Sequence, residues 1–188
     1  MFVLIEEGLS LFKEEKIPET LPILPSMSTV IFPQGITTLQ IGFQKNLKLV
    51  QDYSSPDTVI GLALTQALDI EKVNPDNLSK IGAAAKIVKT FTLADGSLQV
   101  TLQGLKRIKI EEFSQTHPYF IAKIKVLEEI KKDDFEISSL VNQALDLTSV
   151  LIELEPSYPQ EYNHIFSLHL KNPSYLADTI ASALHLDL

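Results

Sequence analysis

Cysteine and tryptophan are absent from the 188 residues, and glycine is scarce, at seven. Without cysteine there are no disulfides and no thiolate metal ligands, which fits a reducing compartment and makes the cytosol the expected location. Basic residues are the minority, 16 Lys and Arg against 24 Asp and Glu, leaving a formal charge of -8. A surface of that sign repels phosphate backbones, so nucleic acid is not an expected partner unless a local basic patch opposes the field. Lys106, Arg107 and Lys109 come nearest to such a patch. In a strand, however, Arg107 and Lys109 point one way and Lys106 the other, the pattern of a solvated strand face. The apolar start of the chain is interrupted by Glu6 and Glu7 with no basic segment ahead of it. It is neither a signal peptide nor a membrane span, and no membrane partner is expected.

The usual chemical motifs are missing as well. No Gly-x-x-x-x-Gly-Lys-Ser/Thr loop occurs to cradle nucleotide phosphates, and no Gly-x-Ser-x-Gly elbow to present a nucleophile. Ser79 and Lys80 are adjacent, so in a strand their side chains point to opposite faces and cannot act on one substrate atom. The four histidines, His117, His164, His169 and His185, form no His-x-x-x-His pair. Paired carboxylates such as Glu111-Glu112 and Asp133-Asp134 are neighbours along the chain, as at solvated turns and helix ends. The expectation is a chain without cofactor, metal or catalytic centre.

What is present is a change of hydrophobic period. Ile81 to Ile110 reads as two long strands joined at Asp95-Gly96, a dipeptide suited to the primed turns of tight hairpins. Leu98, Val100, Leu102, Ile108 and Ile110 share one parity, and Gly104 with Lys106 marks a bulge or bend that would curl the sheet. Thr58 to Leu64 and Tyr119 to Leu127 read as further strands, and Phe43, Leu47, Val50 and Tyr53 as a helix over Gln44 to Tyr53 whose apolar side plugs one end. Strands flanked by Pro22, Pro25 and Pro33 should be short and lie at edges or bulges. After Lys131-Asp134 the period becomes 3.6. Ile137, Leu140, Val141, Ala144, Leu147, Leu151 and Leu154 mark one buried helix face, Tyr162, Ile165, Phe166 and His169 a second, and Asn172-Pro173 opens a third. Phe2, Ile5, Leu9 and Phe12 fit a short amphipathic helix in an N-terminal arm. The predicted organisation is thus α+β: an arm over 1–20, a mostly antiparallel β body with one inserted helix over 21–130, and a small helical subdomain over 131–188.

Several strings in order carry a resemblance. These are Leu21-Pro22-Ile23-Leu24-Pro25, then Val30-Ile31-Phe32-Pro33 as a second strand segment, then Asn74-Pro75-Asp76-Asn77-Leu78 leading into Ile81-Gly82. Leu93-Ala94-Asp95-Gly96-Ser97, Gln103-Gly104-Leu105-Lys106-Arg107 and Leu176-Ala177-Asp178-Thr179-Ile180-Ala181 follow. Together they resemble the amino-terminal domain of the ATP-dependent Lon proteases over nearly the whole chain. The resemblance implies a curled β-barrel of the pseudouridine-synthase-associated (PUA-like) type followed by helices. It implies a non-catalytic domain that recognises unfolded, damaged or degron-bearing polypeptide, and that self-associates as part of a Lon ring. The ATPase and serine-lysine chemistry belongs to other domains of that family. An adaptor or regulator that binds a defined peptide or small molecule is the alternative. The family commonly has Leu-Arg after Leu-Pro-x-x-Pro where this chain has Ser26-Met27, so no contact of that arginine carries over.

Recognition of exposed apolar segments calls for a shallow apolar groove. Met27, in the loop after the first strand, either faces outward as a flexible contact or packs internally. Phe32, Phe43, Tyr53 and Phe91 complete the candidate binding set. Burial is the default for large aromatics, so each becomes a contact only where the fold leaves it exposed.

Overall fold

The computed structural model describes residues 16–55, 57–129 and 135–184. The amphipathic helix expected at Phe2 to Phe12 and the polar hinge at Lys131-Asp134 lie outside them. Six strands, β1 (Thr20–Ser26), β2 (Ile36–Ile41), β3 (Val59–Leu64), β4 (Ile81–Thr92), β5 (Leu98–Gln115) and β6 (Phe120–Val126), form one mixed sheet. Four α-helices accompany it: α1 (Gln44–Asp52), α2 (Phe135–Leu154), α3 (Glu161–Ser167) and α4 (Pro173–Ala183). The strand order is β2-β5-β4-β3-β1-β6, and β5 also pairs with β6, so five strands close a ring with β2 outside it.

Strand β5 makes the closure possible. Its first half lies between β4 and β2, and its second half pairs with β6. The expected inward parity is buried at Leu98, Val100, Leu102, Gly104, Ile108 and Ile110. The register slips between Ala84 and Ala85, leaving Leu105 as the extra residue beside the predicted Gly104-Lys106 irregularity. The hairpin turn differs from expectation. Gly96 N donates to Leu93 O at 3.0 Å, and only Gly96 has positive φ, at 81°, so the connection is an ordinary turn followed by a left-handed glycine rather than a primed turn. Asp95 holds it by accepting from Ser97 N at 2.9 Å and Ser97 Oγ at 2.6 Å, an alternative to the positive φ expected of it.

Two further expectations are corrected. Pro22 and Pro25 do not stand on an edge strand, because β1 lies between β3 and β6. Thr20 to Ile23 pair with β6 and Ile23 to Ser26 with β3, so each proline sits where one ladder is formed. Pro25 O turns from β3 to accept Asn46 Nδ2 of α1 at 3.3 Å, and the missing N–H on that side costs no ladder bond. The stretch Val30-Pro33 is not a strand but part of a loop from Met27 to Gly35, and the strand is Ile36–Ile41 instead. Pro33 lacks a donor, and Gln34 turns the chain at φ 64°.

Two apolar clusters fill the sheet. Leu49 and Val50 of α1, both fully buried, pack on the first, with Leu24, Ile60, Val100 and Leu102. Ile23, Ile108, Phe120 and Ile124 belong to the second. Helices α2, α3 and α4 share a third cluster around Val141, Ile152, Phe166 and Leu176. The buried stripe of α2 is therefore Val141, Thr148 and Ile152, whereas Leu140, Leu147 and Leu154, expected inside, are 56%, 71% and 77% exposed. Apolar residues surround much of α2, so periodicity alone does not select the face. As predicted, α4 opens with Asn172, whose Oδ1 accepts from Tyr175 N at 3.1 Å, and with Pro173 in the first turn.

An ion pair joins α4 to β5. Asp178, 4% exposed, meets Arg107 end-on: Arg107 Nη1 donates to Oδ2 at 3.2 Å and Nη2 to Oδ1. Arg107 is thus not the solvated strand residue that alternation suggested.

Two stability predictions follow from these contacts. A Cβ at Gly104 would lie 2.1 Å from Phe32 O, whereas one at Gly96 meets nothing within 4 Å. Gly104→Ala should therefore cost about 3 kcal/mol through overpacking, and Gly96→Ala about 1 kcal/mol through its left-handed φ, both read from urea unfolding. Arg107→Met should cost about 3 kcal/mol by stranding a buried carboxylate, and adding Asp178→Leu should restore most of the loss, since neither charge then needs a partner.

Candidate functional site

The loop from Met27 to Gly35 is held across the sheet by backbone bonds. Gln34 N donates to Gly104 O and Gly104 N to Gly35 O, both at 2.8 Å, and Gly35 N donates to Phe32 O at 3.0 Å. Because Gly104 has no side chain, the Phe32 carbonyl settles directly over β5. A groove of about 230 Å³ opens between this loop and the strands, lined by Thr29, Val30, Ile31 and Phe32 on one side and by Leu62, Leu64, Ile81, Gly82, Ala83 and Arg107 on the other. Gly82 allows the second wall to form, since a Cβ there would lie 2.4 Å from Leu62 O.

The rim of the groove is apolar and open to solvent. Val30 is 41% and Ile81 48% exposed, and Met27, 47% exposed, stands two residues before the lining begins. Arg107 is the one charged lining residue. Its guanidinium carbon lies 5.9 Å from the Phe32 ring centroid, and Asp178 pairs with it, so it enters the lining as a paired charge.

The structure separates the five residues predicted for binding. Phe32 lines the groove, and Met27 is exposed on the same loop, two residues before the lining begins. Phe43 and Tyr53 are half-buried at the two ends of α1, Tyr53 against the first cluster and edge-on to Tyr119 with ring centroids 6.0 Å apart. Phe91, against the default of burial, is 45% exposed on the hairpin beneath Lys89, whose Nζ is 4.3 Å from its ring centroid. Val30 and Ile81 were not foreseen. Ile81 shares its parity with buried Ala83, Ala85 and Ile87, and position at the strand end, which alternation does not encode, leaves it open.

Two clusters of polar and aromatic side chains lie away from the groove. Tyr119 Oη donates to Asp52 Oδ2 at 2.9 Å, and Lys48 Nζ lies 2.7 Å from Asp52 Oδ1. The bond from Lys48, then that from Tyr119, hold the Asp52 carboxyl below its ordinary range. Burial, then the bond to Asp52, push the Tyr119 phenol up to about 12. This trio ties α1 to the start of β6. Burial also pushes His169, edge-on to Tyr175, down from its ordinary value. No group of three or more metal-ligating side chains occurs among the described residues.

Residues 20–188 match the ATP-dependent protease La (LON) substrate-binding domain. The Lon protease of Dictyoglomus thermophilum is 36% identical over 97% of this chain, and that of Chloroherpeton thalassium 32% identical over 90%. The chain spans 23% and 20% of the length of these two relatives. Among solved structures, the N-terminal domain of the Mycobacterium avium complex Lon protease superposes with a TM-score of 0.65 at 20% identity, covering 89% of this chain and 84% of that one. A Lon N-terminal domain protein from Xanthomonas campestris gives 0.56 at 16% identity with the same coverage. Those two likenesses establish the fold, and the match along residues 20–188 establishes more: this chain belongs to the family of the Lon substrate-binding domain.

Proposed function

We propose that the chain is the substrate-recognition part of a Lon-type ATP-dependent serine protease, and that it holds unfolded or degron-bearing polypeptide by apolar side chains seated in the groove between the Met27–Gly35 loop and Ile81–Ala83. The observation that carries this reading is the open apolar rim of Val30 and Ile81 around a lining with a single, already paired, charge. Apolar surface at such a rim is costly to leave in water unless a partner covers it. The groove's volume of about 230 Å³ is below the roughly 300 Å³ at which pockets begin to enclose drug-sized ligands. It suits one or two side chains of a longer chain and weighs against the small-molecule form of the adaptor alternative.

Within this reading the closed ring of strands is a barrel of the PUA-like type over residues 21–130, and the three helices after it are a separate bundle over 131–188. The sharing of one apolar cluster by α2, α3 and α4 supports that division. Affinity at each groove should be weak, and several chains side by side in a Lon ring would multiply it through effective concentration. Met27 and Phe32 are the members of the predicted binding set that this site uses.

The test is a titration of the chain with a labelled protein held unfolded by reduction and alkylation, and with the same protein folded, in the absence of ATP. The unfolded form should bind preferentially. Val30→Ser with Ile81→Ser should weaken that binding about tenfold, since losing roughly 1.4 kcal/mol of apolar contact is tenfold in affinity. Met27→Ala should weaken it less. Equal binding of folded and unfolded forms, or none up to about millimolar concentration, would overturn the proposal.

A further inference from the structure

We propose that the outer edge of β2, Ile36–Ile41, is a strand-addition site that pairs with the backbone of an extended, uncharged polypeptide segment. The inference rests on the recognition role proposed above and gives it a second contact, made to the main chain rather than to side chains.

The hydrogen-bonding phase of β2 is fixed at its start. Gly104 N donates to Gly35 O, and the pairing of Ile36 with Gln103 continues that register to Ile41 with Leu98. Hydrogen-bonded and non-hydrogen-bonded pairs alternate in an antiparallel ladder, so Thr37, Leu39 and Ile41 turn their backbone groups to β5. Ile36, Thr38 and Gln40 turn theirs outward. The contact of Thr38 Oγ1 with Thr101 Oγ1, 3.2 Å, agrees, because facing side chains come closest at a non-hydrogen-bonded pair. The outward N–H and C=O groups of these three residues have no backbone partner among the described residues.

Other open edges of the sheet carry obstacles, and this one does not. Beyond Ile87, β4 slips register against β5 at Val88 and carries the charge of Lys89. Beyond Ile110, β5 carries Glu111 and Glu112 and slips register twice against β6. Past Ile23, β1 has Pro25, and α1 covers it through Asn46. Such slips, charges and prolines are how sheets refuse added strands. Strand β2 has no charge, no proline and an unbroken register over its six residues.

The chemistry of the edge selects the occupant. Side chains of one parity in an added strand would lie beside Thr37 and half-buried Leu39, and those of the other beside Thr38 and Ile36, which is 70% exposed. The neighbours across the outer face, Gln99, Thr101 and Gln103, are neutral too. An uncharged segment with β-branched or apolar residues fits both rows. Main-chain pairing is indifferent to sequence and is denied to folded proteins, whose backbone groups are already paired.

The experiment uses the whole chain and a fluorescein-labelled peptide of about seven alternating Thr and Val residues, close to the length of a typical strand. Thr38→Pro removes one outward N–H at a position where an edge strand tolerates proline, and Thr38→Val keeps it. Thr38→Pro should weaken peptide binding at least tenfold and Thr38→Val less than about twofold, with urea midpoints confirming the fold. A peptide N-methylated at alternate residues should lose the same factor against the unaltered chain, which decides the matter even where Thr38→Pro does not fold. Full binding by Thr38→Pro or by the N-methylated peptide, with Val30→Ser and Ile81→Ser still weakening the unfolded protein, would overturn the edge while leaving the groove intact. A dimer that Thr38→Pro dissociates would assign the edge to a second copy and overturn the inference as well. Absence of any unfolded-protein binding would remove both proposals.

Discussion

The close approach of the Phe32 carbonyl to Gly104 is the constraint on which the rest of the arrangement depends. It lets the loop after β1 cross β5 at backbone distance, sets the phase of β2, and brings Phe32 beside Arg107. Arg107 in turn reaches Asp178, so one missing side chain organises the groove wall, the outer strand and the attachment of α4. Glycine at this position is required for space, unlike Gly96, where it is required for backbone angle.

The ring itself follows from length. Strand β5, with 18 residues, is long enough to serve two sets of neighbours, and its bulges at the β4 and β6 ladders supply the twist that brings β6 round to β1. A ring of five strands, an odd number, cannot be antiparallel at every pair, and the one parallel pair is β1 with β3. The prolines of β1 are compatible with an interior strand only because β1 changes partner from β6 to β3.

Much of the fold was legible in the sequence where one face is wet and the other packed. The alternation of β5 and β6, the α1 segment, the bulge near Leu105 and the Asn172-Pro173 helix start all have local causes. The failures share a different cause. Strand β2 has two threonines and a glutamine among six residues and little apolar contrast, so only its ladder with β5 reveals it. The face of α2 was misassigned because the choice among its apolar rows is made by α3 and α4. Of the predicted binding set only Phe32 lines the groove, and Met27 stands two residues before that lining. Val30, Ile81 and the partnership of Arg107 with Asp178 arise from placement across the chain, although both charged residues lay in strings the family resemblance had already picked out.

The Arg107–Asp178 pair spans 71 residues of sequence, while α4 also shares an apolar cluster with α2 and α3. The helices thus have a cluster of their own, and a side chain from a strand much earlier in the chain ties them to the sheet. Asp178 is buried and Arg107 is the cation that meets it, so a chain whose β5 has slipped by one residue would present the wrong parity to α4 and leave Asp178 buried without that cation. Correct strand register is thereby read out at a distance, by the helices.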